Sequence, residues 1–92
     1  MPQTKFKLGS VVATQDAIET MSRCRVQASE LLARHHAGDW GDVCPEDAEL
    51  NEQALLDGSR LVSVFKLNES DTVWAITEAD RSSTCILLPG NY

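Results

Sequence analysis

The spacing of apolar positions changes along this chain, and each change marks an element. Between Lys5 and Thr14, Phe6 and Leu8 lead into Val11, Val12 and Ala13, a stretch with β-branched residues interrupted by Gly9, which predicts a first strand bent at the glycine. Thr14 then reads as a helix N-cap. Asp16 suits the positive end of the helix dipole, and Ile18 with Met21 gives a short apolar stripe that Ser22 to Val26 breaks. From Gln27 to His36 the period is helical: Ala28, Leu31, Leu32 and His35 fall at i, i+3, i+4 and i+7, and Gly38 is placed to stop the helix.

A third helix is predicted from Pro45, which fits a first helical turn, to Gly58, which fits a C-terminal stop. Its apolar side is thin, comprising Ala48, Leu50, Ala54, Leu55 and Leu56. After Gly58 the period drops to two, with Leu61, Ser63, Phe65 and Leu67 on one face and Val62, Val64 and Lys66 on the other. The polar turn Asn68-Glu69-Ser70-Asp71 precedes a second strand, Thr72 to Thr77, and the loop Glu78 to Ser83 precedes a third, Thr84 to Leu88. The expected fold is therefore α+β in one domain spanning residues 1–92: an N-terminal strand, three short helices, then a three-stranded antiparallel meander.

Length and composition agree with one small globular core. Ninety-two residues leave no room for a second core, and 42% hydrophobic with 24% charged content is ordinary for a folded domain. So short a chain buries a modest share of its surface, which makes a homodimer one expected assembly. The longest apolar run, Cys85 to Leu88, is far too short to span a bilayer, and Met1-Pro2-Gln3-Thr4-Lys5 does not lead into a signal-peptide hydrophobic region. A cytoplasmic location without membrane contact is expected. Cys24, Cys44 and Cys85 are odd in number and lack C-x-x-C spacing, so they read as reduced thiols.

The net charge is −6, and seven of the 14 acids (Asp39, Asp42, Glu46, Asp47, Glu49, Glu52 and Asp57) fall in one stretch without a Lys or Arg. No basic cluster is present to track a phosphate backbone, so direct nucleic-acid binding is not expected. The acidic stretch reads either as a solvated helix face or as a surface that seeks a basic partner.

Two polar segments carry the candidate chemistry. In the first, Glu78, Asp80 and Arg81 precede Ser82, Ser83 and Thr84; two carboxylates near one guanidinium could serve as acid, base and anion clamp, or simply form a solvated hairpin loop. No local base or G-x-S-x-G elbow accompanies the serines. The second segment runs from Arg34 to Asp42 and holds His35, His36, Asp39, Trp40 and Asp42. His35 and His36 are about 100° apart on a helix and do not form an i, i+4 ligand pair, so no metal is expected. His35 lies on the apolar stripe as a core or boundary histidine. Asp39 and Asp42 suit caps in the Gly-rich turn and at the start of the Pro45 helix. Trp40 and Trp74 read first as core; an exposed Trp40 would be an anchor beside the acidic helix. Arg23 and Arg25 flank Cys24, which raises thiol reactivity there as an option. Asp39, Trp40, Asp42, Glu78, Asp80 and Arg81 form the candidate interaction surface, and no cofactor motif is found.

The segments Ala33-Arg34-His35 through Gly38-Asp39-Trp40-Gly41-Asp42, and Trp74 to Thr84 with Ile86-Leu87-Leu88-Pro89 and Tyr92, resemble a family of small uncharacterised bacterial proteins carried on plasmids and other mobile genetic elements. Asn51-Glu52, Gly58, Arg60 and Leu61 extend the resemblance to most of the chain. It implies a mobile-element accessory but no activity. Labels borrowed from methyltransferase subunits do not suit a chain lacking a Gly-rich strand-to-helix turn and an N-P-P-[FY] motif. Three functions follow as expectations. The first is a non-enzymatic accessory module that binds another protein. The second is a DNA-mimicking anti-restriction or anti-CRISPR inhibitor using the acids of Asp39 to Asp57. The third is a small hydrolase or nuclease using the Glu78 to Arg81 loop, which requires that loop to meet the Trp40 loop.

Overall fold

The computed structural model describes residues 4–91; the opening Met1-Pro2-Gln3 and the closing Tyr92 lie outside the described residues. In chain order the elements are β1 (Ser10–Ala13), α1 (Gln15–Arg23), α2 (Ala28–His36), α3 (Pro45–Asp57), β2 (Leu61–Lys66), β3 (Thr72–Thr77) and β4 (Ser83–Leu87), followed by a 3-10 turn at Pro89–Asn91. Local chemistry sets the helix ends. Thr14 Oγ1 accepts the Ala17 amide at 3.1 Å to open α1, and Pro45 occupies the first turn of α3. Gly58 closes α3 at φ 80°, a left-handed conformation that a side chain would strain.

Strands β2, β3 and β4 run antiparallel in sequence, as their period-two pattern suggests. The meander is not the whole sheet. β1 joins it in parallel beside β4, with Val11 opposite Thr84 and Ala13 opposite Ile86, giving a mixed four-stranded sheet of order β1-β4-β3-β2. β1 is also shorter than the Lys5 to Thr14 pattern implied. The residues before Gly9 are held elsewhere: the Lys5 amide donates to the His36 carbonyl at 2.9 Å, and the Leu8 carbonyl accepts from Thr84 Oγ1 at 2.7 Å. Gly9, at φ 67°, turns the chain against the backbone of Arg81 and Ser82, so the strand starts only after it.

One sheet face, carrying Phe65, Val73, Ala75 and Ile86, packs with Ala17 and Met21 of α1 and Leu31 of α2 to make the main core. Leu61 joins a second cluster with Trp40 and Ala54, backed by Phe6, Val43 and Leu55, which fastens α3 and the loop before it to β2. By alternation, Val62, Val64, Trp74, Ile76 and Cys85 point to the opposite face.

The outer edge of β2 is sealed one residue pair at a time. Asn51 of α3 acts as a substitute strand: its Nδ2 donates to the Val62 carbonyl at 2.7 Å and its Oδ1 accepts the Val62 amide at 3.1 Å. Next, the Val64 amide donates to the Trp40 carbonyl at 3.0 Å while the Val64 carbonyl accepts from the Asp42 amide. The Lys66 amide then donates to Asp42 Oδ2 at 2.9 Å. An edge paired from Val62 to the Lys66 amide offers little template to another strand. Asp42 therefore seals β2 instead of capping α3, whose N-cap residue, Cys44, makes no side-chain bond to the helix amides. Among the described residues, no helix is long and apolar enough to cross a membrane.

Candidate interaction surface

The most polar group inside the domain is a single hydrogen-bonded chain. His35 lies at 0% exposure between Ser63 Oγ, which bonds its Nδ1, and Thr77 Oγ1, 2.8 Å from its Nε2; Thr77 Oγ1 is 2.7 Å from Thr84 Oγ1. The proton order is fixed from the far end. The Leu8 carbonyl can only accept, so Thr84 donates to it, Thr77 donates to Thr84, and His35 Nε2–H donates to Thr77. Nδ1 is then bare and accepts from Ser63. The imidazole is thus neutral, and burial, followed by repulsion from His36, pushes its pKa down to about 4. A serine hydroxyl on a histidine is the wiring of a nucleophile, but Ser63 too is at 0% exposure. The network binds α2 to β2, β3 and β4. Its signal was present in the sequence: Ser63 alternates with Leu61 and Phe65 on the inward face, so its hydroxyl needed a buried partner.

The loop of Glu78, Asp80 and Arg81 is held by its own backbone. The Glu78 amide donates to the Ser83 carbonyl at 3.0 Å and the Arg81 amide to the Glu78 carbonyl at 2.9 Å, while Asp80 Oδ1 accepts the Ser82 amide at 3.0 Å. Hydrogen bonds from Ser82, side chain first and then backbone, hold the Asp80 carboxyl below its usual range. Arg81 does not face either carboxylate as a clamp. Its Nη1 donates to the carbonyls of Ser59 (2.6 Å), Glu78 and Ala79 (both 3.2 Å), and its Nη2 donates to Ala54 at 3.0 Å. The cation therefore caps the negative end of α3 and ties it to the loop.

Trp40 is 6% exposed, so it is an internal residue and not a surface anchor; Nε1 donates to Glu52 Oε2 at 2.8 Å, which lets the indole be buried. Phe6 stacks on it with ring centroids 6.1 Å apart, and the Arg81 guanidinium carbon is 5.9 Å from the same Phe6 ring. The two polar loops thus meet through Phe6, by ring stacking on the Trp40 side and a cation over the ring on the Arg81 side. Asp39 pairs with Arg34 Nε at 2.8 Å and accepts the Gly41 amide at 3.1 Å, the turn-capping role its sequence context suggested. The Arg34 guanidinium holds the Asp39 carboxyl below its usual range. Cys24 is no activated thiol. Arg23 is paired with Asp71 at 2.8 Å, and partial burial together with Asp71 pushes the Cys24 thiol up. Among the described residues, no three His, Cys, Asp or Glu side chains converge as a metal site.

Five of the seven acids between Asp39 and Asp57 accordingly have a partner within the fold: Asp39 in Arg34, Asp42 in Lys66, Glu46 in the Cys44 thiol, Glu52 in Trp40 and Asp57 in Ser59. Glu46, Asp47 and Glu49, within about one turn of α3, are exposed. Beside them runs a groove of about 420 Å³ between α3 and the helix-free side of β2, lined by Val43, Asp47, Leu50, Val62 and Val64 together with Asn51, Ser59, Arg60 and Trp74. Leu50 stands 61% exposed at its lip. A wider depression of about 660 Å³ is lined by Thr4 to Gly9 and His36. The groove beside α3, with an apolar floor and charged rim, is the better-built surface, and neither Val43 nor Leu50 had stood out as a site in the sequence. No protein family, characterised protein or solved structure matches this chain.

Proposed function

We propose that this domain is a protein-binding module whose working face is the groove between α3 and β2, and that its partner presents a segment apolar on one side and basic on the other. The observation that carries the reading is Leu50, 61% exposed on the lip of an apolar groove with Asp47 in its wall. Exposed leucines are common, but one that continues a groove floored by Val43, Val62 and Val64 offers a contiguous apolar contact. Covering its remaining surface favours binding by about 1 to 2 kcal/mol, the scale of an interface anchor. Glu46, Asp47 and Glu49 supply the field that selects a basic segment and speeds its approach. An accessory role on a mobile genetic element is consistent with such a module.

This reading draws more support than the two others. A DNA mimic needs carboxylates free over several phosphate spacings, and on α3 Glu46, Asp47 and Glu49 lie within about one turn while Glu52 and Asp57 are hydrogen-bonded to Trp40 and Ser59. A hydrolase at the Glu78 to Arg81 loop needs a guanidinium able to turn to substrate, and that of Arg81 holds four carbonyls. The test is an amide chemical-shift titration with an amphipathic Leu/Lys peptide and its Leu/Glu counterpart. The Leu/Lys peptide should shift Val43, Leu50, Val62 and Val64, the Leu/Glu peptide should not, and Leu50→Asp should abolish the response while the fold persists. Equal response to both peptides, or shifts confined to other surfaces, would end the proposal.

A further inference from the structure

The two edges of the sheet are treated in opposite ways. At β2 the outward amides and carbonyls of Val62 and Val64 and the Lys66 amide are paired by Asn51, Trp40 or Asp42. At β1 the Ser10 amide donates to Ser82 and the Thr14 amide to Ile86, so the even-numbered residues face β4 and the amides and carbonyls of Val11 and Ala13 point outward. None of these outward groups has a partner among the described residues. The side chains leave the edge open as well: Val11 is 46% exposed on the helix side and Val12 53% on the other, and Ser10–Ala13 holds no charge and no proline. Charge, proline or a bulge is how proteins usually blunt such an edge.

We infer that two copies of this chain pair through β1, antiparallel about a two-fold axis at Val12, to form a continuous eight-stranded sheet. This register places Val12 against Val12 of the second copy in a non-hydrogen-bonded pair, where side chains approach most closely, and sets Val11 opposite Ala13 in hydrogen-bonded pairs on both sides. All outward groups of Val11 and Ala13 are then satisfied by main-chain bonds, and no charge is buried. The flanks choose a second copy and this direction. The exposed Lys7 precedes β1 and the exposed Asp16, which accepts from Asn91 Nδ2, follows it, so an antiparallel pair sets the lysine end of one copy at the aspartate end of the other, whereas a parallel pair would set like charges at the same end. The inference is independent of the α3 groove, which is floored by β2 at the other side of the sheet order.

Sedimentation equilibrium of the whole chain from micromolar to millimolar concentration, combined with amide hydrogen exchange, tests it. A monomer–dimer equilibrium is expected, with protection of the Val11 and Ala13 amides rising with concentration. Val12→Lys, which places two ammonium groups across the axis, should raise the dissociation constant about tenfold or more with an unchanged circular dichroism spectrum. If that variant does not fold, the exchange rates of the native chain alone decide. A chain that stays monomeric at millimolar concentration overturns the inference. So does a dimer whose Val11 and Ala13 amides exchange freely, or protection there only when a foreign extended peptide is added.

Discussion

Lowering the pH from 7 to 5 should destabilise the domain chiefly through His35. In the unfolded chain a histidine takes up a proton near pH 6.5, but in the folded state burial, followed by repulsion from His36, delays this to about pH 4. Between those values the unfolded state binds more protons, so stability falls as pH falls, and it is fully present only above the unfolded value. At about 1.4 kcal/mol per tenfold change in proton affinity, linkage removes about 2 kcal/mol by pH 5 and on the order of 3 kcal/mol by pH 4. Asp39 and Asp71, whose carboxyls are held low by Arg34 and Arg23, contribute stability that is lost only as pH falls through their own depressed values, so the interval from pH 7 to 5 isolates His35. Urea denaturation across that interval measures the slope. His35→Gln removes the titration and should flatten it, while lowering stability at pH 7 by about 1 to 3 kcal/mol because part of the Ser63–Thr77 network loses its partner. Equal slopes in the two proteins, or an imidazole that titrates near 6.5 by NMR, would refute the buried neutral assignment.

Three further expectations concern how the surface is held. Asn51→Leu leaves the Val62 amide and carbonyl without their partner and should cost about 1 to 3 kcal/mol in chemical denaturation, with faster aggregation because the β2 edge is reopened. Arg81→Ala removes the donor shared by the Ala54 and Ser59 carbonyls at the end of α3 and the Glu78 and Ala79 carbonyls of the loop; thermal unfolding should show a loss of about 1 to 3 kcal/mol, while peptide binding at Leu50 is retained in the folded fraction. Gly41→Ala should fail to fold, as judged by amide dispersion in NMR. At φ 75° its new Cβ would overlap the Val64 carbonyl and sit 2.7 Å from Cδ1 of Phe65.

The elements were legible wherever side-chain period or capping chemistry is local. β3 occupies the Thr72 to Thr77 run, α3 is bounded by Pro45 and Gly58, and His35 sits inside, as its place on the apolar stripe implied. Pairing was less legible because backbone ladders leave little trace in side chains. The parallel alignment of Val11 with Thr84 joins segments far apart in the chain, and nothing in either strand names the other. Alternation places Phe6 in the first strand, but it is an aromatic bridge between His35, Trp40 and Arg81. Arg81 shows the same limit from the site's side. In sequence it neighbours two carboxylates; in space it serves carbonyls, including that of Ala54, 27 residues away. The groove escaped notice because its floor comes from the outward face of β2, whose valines read as ordinary alternation.

The claim that the groove beside α3 is the working surface is tested most directly by a photo-crosslinking amino acid at Leu50, introduced in cells that naturally make the protein, with Ser29 and Asp80 as exposed comparison positions. The account predicts a discrete adduct from position 50 whose crosslinked partner segment alternates apolar residues with Lys or Arg, and no comparable adduct from position 29 or 80. Adducts of equal yield at all three positions, or a discrete one only at position 80, would contradict it.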